Sequence, residues 1–417
     1  MRVVVLGAGV IGIATAYELA RDGHDVTVVD RHPEAARETS FANGGQLSAH
    51  HGEPLAGPGA LPQALRWLGR KDAPLTYRLR LDPALWSWTL DFLAQCPEPR
   101  FWDNTAKMLR VALYSRERLH ETLDRETVAF DHLNHGIITL YQDARAFDRA
   151  LDEIRAMKEL GSERQALDRK GCFELEPALA HASTYFAGGV LTPGDESGDC
   201  RAFTLHLARR CAEMGVTFKY DTTVTGLERD GWRVARARTH GEAIEGDAFV
   251  LALGSYSAPM LKTLDLRLPV YPAKGYSVTI PVTNDEMAPK VSITSLEHRL
   301  VFSRLGNHLR AAGLLEFNGF DTCIDDRRAR VALRGALQVF PDAGNADGAE
   351  FWTGLRPLTP DGVPVIGRAR QENLILNTGH GMLGWTMAMG SARISADLVA
   401  GHAPSINMDG LGWERFA

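Results

Sequence analysis

The sequence predicts an α/β protein of two parts, one built on a parallel sheet with covering helices and one on an antiparallel sheet. Three observations predict it. The first thirty residues run strand, glycine turn, helix, strand. A fully apolar strand recurs at Phe249–Leu253 and ends in glycine. From Leu266 to about Leu314 the pattern changes to short strands joined by Asn, Pro and Gly turns.

The opening stretch, Arg2 to Asp30, is the most informative. Val3–Leu6 is an apolar run of strand length that breaks into Gly7-Ala8-Gly9-Val10-Ile11-Gly12. A helix to about Arg21, a turn at Asp22-Gly23 and a strand Val26–Val29 follow, closed by Asp30. This is the Rossmann-like dinucleotide fingerprint in its proper context. Gly7 allows the tight turn, Gly9 lets backbone approach a pyrophosphate, and Gly12 lets helix and strand pack closely. The bare amides and dipole of the helix start favour the anion. Asp30, eighteen residues past Gly12, is placed to accept hydrogen bonds from the adenosine ribose.

The chain has 417 residues, enough for two domains, with 45% hydrophobic and 24% charged residues, values of a globular protein. A net charge of −6 provides no global basic field, so no nucleic-acid partner is expected. Five cysteines at wide spacing form no CxxC, which suggests a reducing compartment without a disulfide framework. No signal peptide or 18-residue apolar span is read. Cytoplasmic placement is expected, with contact at the inner face of the plasma membrane left open.

Residues 31–54 read as loop, and TSFANGGQ within it offers hydroxyls and amides to a ligand. Residues 61–125 read as helical, with Leu81, Leu85, Trp88 and Phe92 on one face. Before them Arg66, Arg70, Lys71, Arg78 and Arg80 face one acid, Asp72. The segment is either a core-packing helix beside a solvated basic turn or a surface for anionic lipid or an electron acceptor. Phe130–Tyr141 reads as a strand, whose His132 and His135 have no carboxylate cluster beside them and are not assigned to a metal. Helices at Ala144–Leu160 and Arg201–Met214 and strands at 216–238 lead to the buried strand 249–253. Asp325–Phe340 is helical, and FWTGLRPLTPDGVPVIG precedes a strand at Leu374–Asn377. The chain closes on TGHGMLGWTMAMGSARISADLVAG, where glycines again precede an apolar helix. These readings divide the chain into a discontinuous nucleotide domain, 1–60, 162–260 and 345–417, and a second domain, 61–161 and 261–344.

Glycine-rich approaches recur near residues 44, 254 and 381, as needed to surround a large, permanently bound ligand, which favours FAD over NAD. The motifs GAGVIG, VTVVDR, ETSFANGGQ, TPGDESGDC, GSYS, YPAKGYS, FWTGLRPLTPDGVPVIG and NTGHGMLGWTMAMGSA resemble those of the D-amino acid dehydrogenase small subunit, within the glycine oxidase and D-amino acid oxidase group of flavoenzymes. The resemblance runs in order from residue 1 to about Pro404. It implies an FAD-binding domain beside an antiparallel substrate domain, matching the fold read from the pattern.

Carried over, the resemblance sets Gly7, Gly9, Val10, Ile11 and Gly12 along the pyrophosphate, with Asp30 and Arg31 at the adenosine end. Ser40, Asn43, Gly44, Gly45 and Gln46 would follow the ribityl chain and flavin. Val224 would face the adenine, and Gly254 marks another close approach. Gly379, His380, Gly381, Met382 and Leu383 would approach the pyrimidine side of the flavin. Arg356 in GLRP resembles the arginine that clamps the substrate carboxylate, and Tyr276 and His380 complete the candidate catalytic set. A guanidinium fork suits that role because it binds a carboxylate through two parallel, charge-assisted hydrogen bonds. No cysteine falls in the flavin-contacting motifs, so the FAD is expected to be non-covalent. One departure stands out: His50-His51-Gly52-Glu53 replaces the small apolar and aromatic segment expected after GGQLS. If that loop lines the pocket, substrate preference differs from small neutral D-amino acids.

The implied activity is oxidation of a D-amino acid to a 2-oxo acid and ammonia, with electrons passed to a quinone or another acceptor. The alternatives are an oxidase or dehydrogenase of glycine, sarcosine, D-proline or hydroxyproline, and a flavin-binding subunit without turnover.

Overall fold

The structure is a computed structural model that describes residues 1–67, 73–78 and 80–416. The opening fingerprint forms strand Arg2–Leu6, helix Val10–Arg21 and strand Asp25–Val29. They anchor a six-stranded sheet whose order is Val365–Arg368, Leu374–Thr378, Ala248–Leu251, Arg2–Leu6, Asp25–Val29, Thr217–Lys219. All neighbours are parallel except the first pair. Alternation along Arg2–Leu6 divides the core between two faces. Val3 and Val5 pack under helices Val10–Arg21, Cys200–Glu213 and Gly384–Ala400. Val4 and Leu6 face a small three-stranded sheet through Leu227, Val234 and Ala237.

A nine-stranded, mainly antiparallel sheet forms the second body. Its order is Glu350–Leu358, Tyr271–Pro281, His308–Phe317, Leu300–Leu305, Ser292–Ser295, Ile137–Tyr141, Gly188–Thr192, Gln165–Asp168, with Leu75–Tyr77 paired to the end of His308–Phe317. Ala329, Ala332, Ala336 and Val339 of helix Asp326–Val339 cover one face of this sheet. The stretch 162–192, grouped from sequence with the nucleotide domain, contributes two strands here, because Gly188–Thr192 pairs along Ile137–Tyr141. Glu350–Leu358, grouped likewise, pairs along Tyr271–Pro281.

Three local readings are corrected. Leu81 is fully exposed rather than on the buried face of Leu85 and Trp88. The cause is Asp82, whose carboxylate accepts from the Ala84 and Leu85 amides and starts the helix at Pro83. The strand read over Phe130–Tyr141 begins only at Ile137, because Asp131 (φ 53°) and Gly136 (φ 83°) take left-handed backbone. His132 hydrogen-bonds Glu196 at 2.6 Å. In the basic segment, Arg78 pairs with Glu316 and Asp325, and Arg80 donates to the Asn318 carbonyl. Arg70, Lys71 and Asp72 lie outside the described residues.

Candidate active site

A single cavity of about 1460 Å³ runs between the two sheets. That exceeds the roughly 300–1,000 Å³ of a site for one drug-sized molecule and leaves room for a dinucleotide with a small substrate. At one end the helix start is prepared for an anion. Gly7 has φ +106°, and a Cβ there would lie 2.6 Å from the Ala252 carbonyl oxygen. A Cβ on Gly12 would stand 1.8 Å from the Gly7 oxygen, so glycine is obligatory for this strand-to-helix packing. A Cβ on Gly9 would meet only Ser40 Oγ, at 3.5 Å, leaving that side open to a ligand. Ser40 Oγ accepts from the Val10 amide at 3.0 Å, and Asp30 accepts from the Ala8 amide at 2.7 Å. Arg31 pairs with Glu38 and stacks 4.1 Å from the Tyr256 ring centre.

The middle of the cavity is floored by the TSFANGGQ loop laid over the second sheet. Gly44 presses on Val301, where a Cβ would come within 2.4 Å of Cγ2, and Ser303 Oγ donates to its carbonyl at 2.8 Å. Asn43 Oδ1 accepts from the Gly45 amide, and the Asn43 carbonyl accepts from Arg310 at 3.1 Å. Gln46 Nε2 donates to Ser292 and Thr294 hydroxyls at 3.0 and 3.1 Å. Val224 and Gly254 line the nucleotide end, and Gly254 (φ +53°) has nothing within 4 Å of where its Cβ would be.

Arg356 lines the far end. Its Nη1 donates to the Leu314 carbonyl at 2.7 Å and its Nη2 to the Gly313 carbonyl at 3.3 Å. Those carbonyls are turned by a bulge: the register between Tyr271–Pro281 and His308–Phe317 shifts past Tyr276–Gly313, and Leu314 has φ 53°. The guanidinium lies across Gly275, where a Cβ would come within 2.3 Å of Nη1. No carboxylate pairs with Arg356 among the described residues, and burial alone pushes its pKa down to about 10. The group remains a cation at neutral pH with no anion of its own, which fits capture of a ligand carboxylate.

His380 is 2% exposed, lines the same cavity, and has an Nε2 without a protein partner. Burial pushes its pKa down to about 3, so it is neutral and able to hydrogen-bond a ligand. The following turn is held by Gly381 N to Pro357 O at 3.0 Å and Leu383 N to His380 O at 3.0 Å. Gly381, Met382 and Leu383 line the cavity. Gly379 (φ +74°) packs behind them, with Thr359 Cγ2 2.8 Å from where its Cβ would be. Tyr276 also borders the cavity, but its hydroxyl donates to buried Glu316 at 2.6 Å, beside Lys274 and Arg328. That hydroxyl is committed to a structural network, and desolvation with the neighbouring carboxylate raises its pKa.

All the candidate residues except Gly12 and Gly379 line this one cavity, and those two pack directly behind it. Residues that motif reading missed also face it: Thr139, Tyr141, Glu153 and Arg164, from segments with no motif of their own. The only sequence signal toward them was the unusual His50–Glu53 loop, whose His51 and Glu53 they meet.

The family model described as FAD dependent oxidoreductase (DAO) matches residues 2–398. A protein named D-amino acid dehydrogenase from Paramagnetospirillum magneticum is 50% identical over 417 residues, covering 100% of this chain and 99% of its own. One of the same name from Dechloromonas aromatica is 48% identical, with 97% and 98% covered. In fold the chain is similar to glycine oxidase from Geobacillus kaustophilus (TM-score 0.76, 22% identity, 99% and 98% covered). It is likewise similar to L-proline dehydrogenase from P. horikoshii (TM-score 0.74, 16% identity, 100% and 97% covered).

Proposed function

This chain belongs to the FAD dependent oxidoreductase family, and from that premise we propose that it oxidises D-amino acids to 2-oxo acids and ammonia as a dehydrogenase. The observation that carries the reading is Arg356, a buried cation without an anion, facing the cavity opposite the glycine-lined helix start. The residues present suit FAD: bare glycines at the helix start, Asp30 at the ribose end, and the orphaned Nε2 of His380 beside the Gly381–Leu383 turn.

When bound, FAD supplies the two-electron acceptor for the Cα hydride. The protein's share is binding and aim. Arg356 holds the substrate carboxylate through its two-pronged fork, and the bulge carbonyls of Gly313 and Leu314 fix the fork's direction. Orientation of the Cα–H is the main catalytic contribution, and a substrate entering as the neutral amine needs no side-chain base at Cα. His380 stays neutral and hydrogen-bonds the flavin edge. Water then hydrolyses the imino acid.

The proposed acceptor is a membrane quinone. Its support is an apolar face on helix Pro83–Ala94, where Trp86, Leu90 and Leu93 are exposed on successive turns. Leu93, Leu61 and Leu55 carry that face to the cavity rim. No helix among the described residues is long and apolar enough to cross a membrane, so the contact would be peripheral. The test is anaerobic bleaching of the flavin by D-alanine, L-alanine, D-proline and glycine in turn. Bleaching by D-alanine, slowly reversed by air and rapidly by a quinone analogue, is expected. Fast reversal by air with peroxide would make the protein an oxidase, and bleaching only by glycine or D-proline would move the substrate.

A further inference from the structure

The cavity has a second polar end that the reaction above does not use. Strand Ile137–Tyr141 presents Thr139 and Tyr141 to it, two residues apart on one face. Thr139 is 5% exposed, and its Oγ1 has no hydrogen-bond partner. Thr139 pairs in register with Thr294, the residue that binds Gln46, so this wall is one strand, roughly 4.8 Å, from the Gln46 anchor. Opposite it stand His51 and Glu53 from the departing loop and Glu153 from helix Ala144–Glu159.

The electrostatics of this wall favour a cation. Arg164 pairs with Glu53 at 2.5 Å, but its remaining donors are spent on the His50 carbonyl (2.7 Å) and Ser162 Oγ (3.2 Å). It therefore has little left for an incoming anion. Asp195, fully buried behind the loop, is matched by His50 at 2.8 Å and His51 at 3.6 Å. Arg149 is exposed at the rim, where solvent screens it. Glu153 has no ion-pair or hydrogen-bond partner among the described residues. Its pKa is raised by burial and then by Glu53, the mark of a carboxylate short of a counter-charge.

We infer that this wall receives the substrate side chain and selects D-amino acids ending in an ammonium or guanidinium group. An ammonium brings three donors; Thr139 Oγ1, the Tyr141 hydroxyl and the Glu153 carboxylate offer acceptors on the walls around it. The inference rests on the D-amino acid reading and names its substrate class.

The test compares kcat/KM of the purified FAD-loaded enzyme for D-lysine, D-norleucine, D-glutamate and D-alanine with a soluble dye acceptor. D-norleucine has the length of D-lysine without its charge. D-lysine is expected to exceed D-norleucine at least about tenfold, the scale of one charge-assisted hydrogen bond. Thr139→Val and Glu153→Gln should each lower that ratio, with flavin absorbance confirming that each variant holds FAD. Equal rates for D-lysine and D-norleucine, a preference for D-glutamate, or a ratio that neither substitution moves overturns the inference. The wild-type comparison decides alone if a variant does not fold. If no D-amino acid bleaches the flavin, the D-amino acid reading falls and the inference with it. Turnover of D-alanine or D-norleucine without the D-lysine preference removes the inference alone.

Discussion

Replacing Arg356 is the most direct trial of the clamp. The side chain makes two hydrogen bonds to protein, both to bulge carbonyls, and none to a carboxylate among the described residues. A substrate carboxylate on the outer edge of the fork would add two charge-assisted bonds of roughly 1.5–3 kcal/mol each. Arg356→Ala should therefore cost about 3–6 kcal/mol in transition-state binding, or roughly 10²–10⁴ in kcat/KM at about 1.4 kcal/mol per decade. Arg356→Lys keeps the charge but loses the fork, and should fall between. The assay is kcat/KM for a D-amino acid and for the corresponding amine lacking the carboxylate, alongside FAD content. The loss should vanish for the amine, because the missing partner is the carboxylate. A kcat/KM within threefold of wild type for the amino acid, with FAD retained, would refute the clamp. So would an equal loss for acid and amine. The same reasoning predicts that a simple carboxylate inhibitor binds more weakly as pH rises through about 10, where the free guanidinium begins to lose its proton.

Three further outcomes are expected. Gly12→Ala drives a Cβ to within 1.8 Å of the Gly7 oxygen and should abolish FAD retention while lowering stability by at least ~3 kcal/mol, read by flavin absorbance and Tm. His380 has a pKa of about 3 in the fold against 6.5 unfolded, so the unfolded chain binds its proton first as pH falls. Stability attributable to it is complete above pH 6.5 and is lost toward pH 3, by roughly 4 kcal/mol across that window; His380→Asn should flatten a plot of unfolding free energy against pH by close to one proton. Replacing Trp86 and Leu90 together with Glu should lower the ratio of quinone to soluble-dye reduction at least tenfold with vesicles present, and an unchanged ratio would move the acceptor elsewhere.

Much of the nucleotide end was legible because its constraints are local. Gly7, Gly9, Gly12 and Asp30 lie within one supersecondary unit, and each is demanded by a contact a few residues away, such as Gly12 against Gly7. The second sheet was visible in its turns, but its extent was not. Gly188–Thr192 is apolar on its own, and only pairing with a strand fifty residues earlier places it there. Leu81 was misread because periodicity extends past the cap, whereas Asp82 and Pro83 fix where the helix begins. Arg356 came through its motif, but its anchoring by the bulge at Gly313–Leu314 depends on register between two strands and leaves no sequence signature. Thr139 and Glu153 were invisible for the same reason: threonine on a strand and glutamate on a helix are unremarkable until a distant loop is laid against them.

The parallel sheet has a consequence for the order in which the protein is made. Its central strand is among the first residues translated, yet two of its neighbours, Leu374–Thr378 and Val365–Arg368, are among the last. At about 5–20 residues per second, the ribosome takes roughly 20–70 s to pass from Asp30 to Gly379. Throughout that interval the nascent chain carries a finished pyrophosphate turn but lacks the His380–Leu383 lip of its own pocket. Cofactor capture is thus a late event. A ribosome-stalled chain ending before residue 365 should not retain flavin, and flavin supply should govern how much full-length chain survives release rather than how fast it is synthesised.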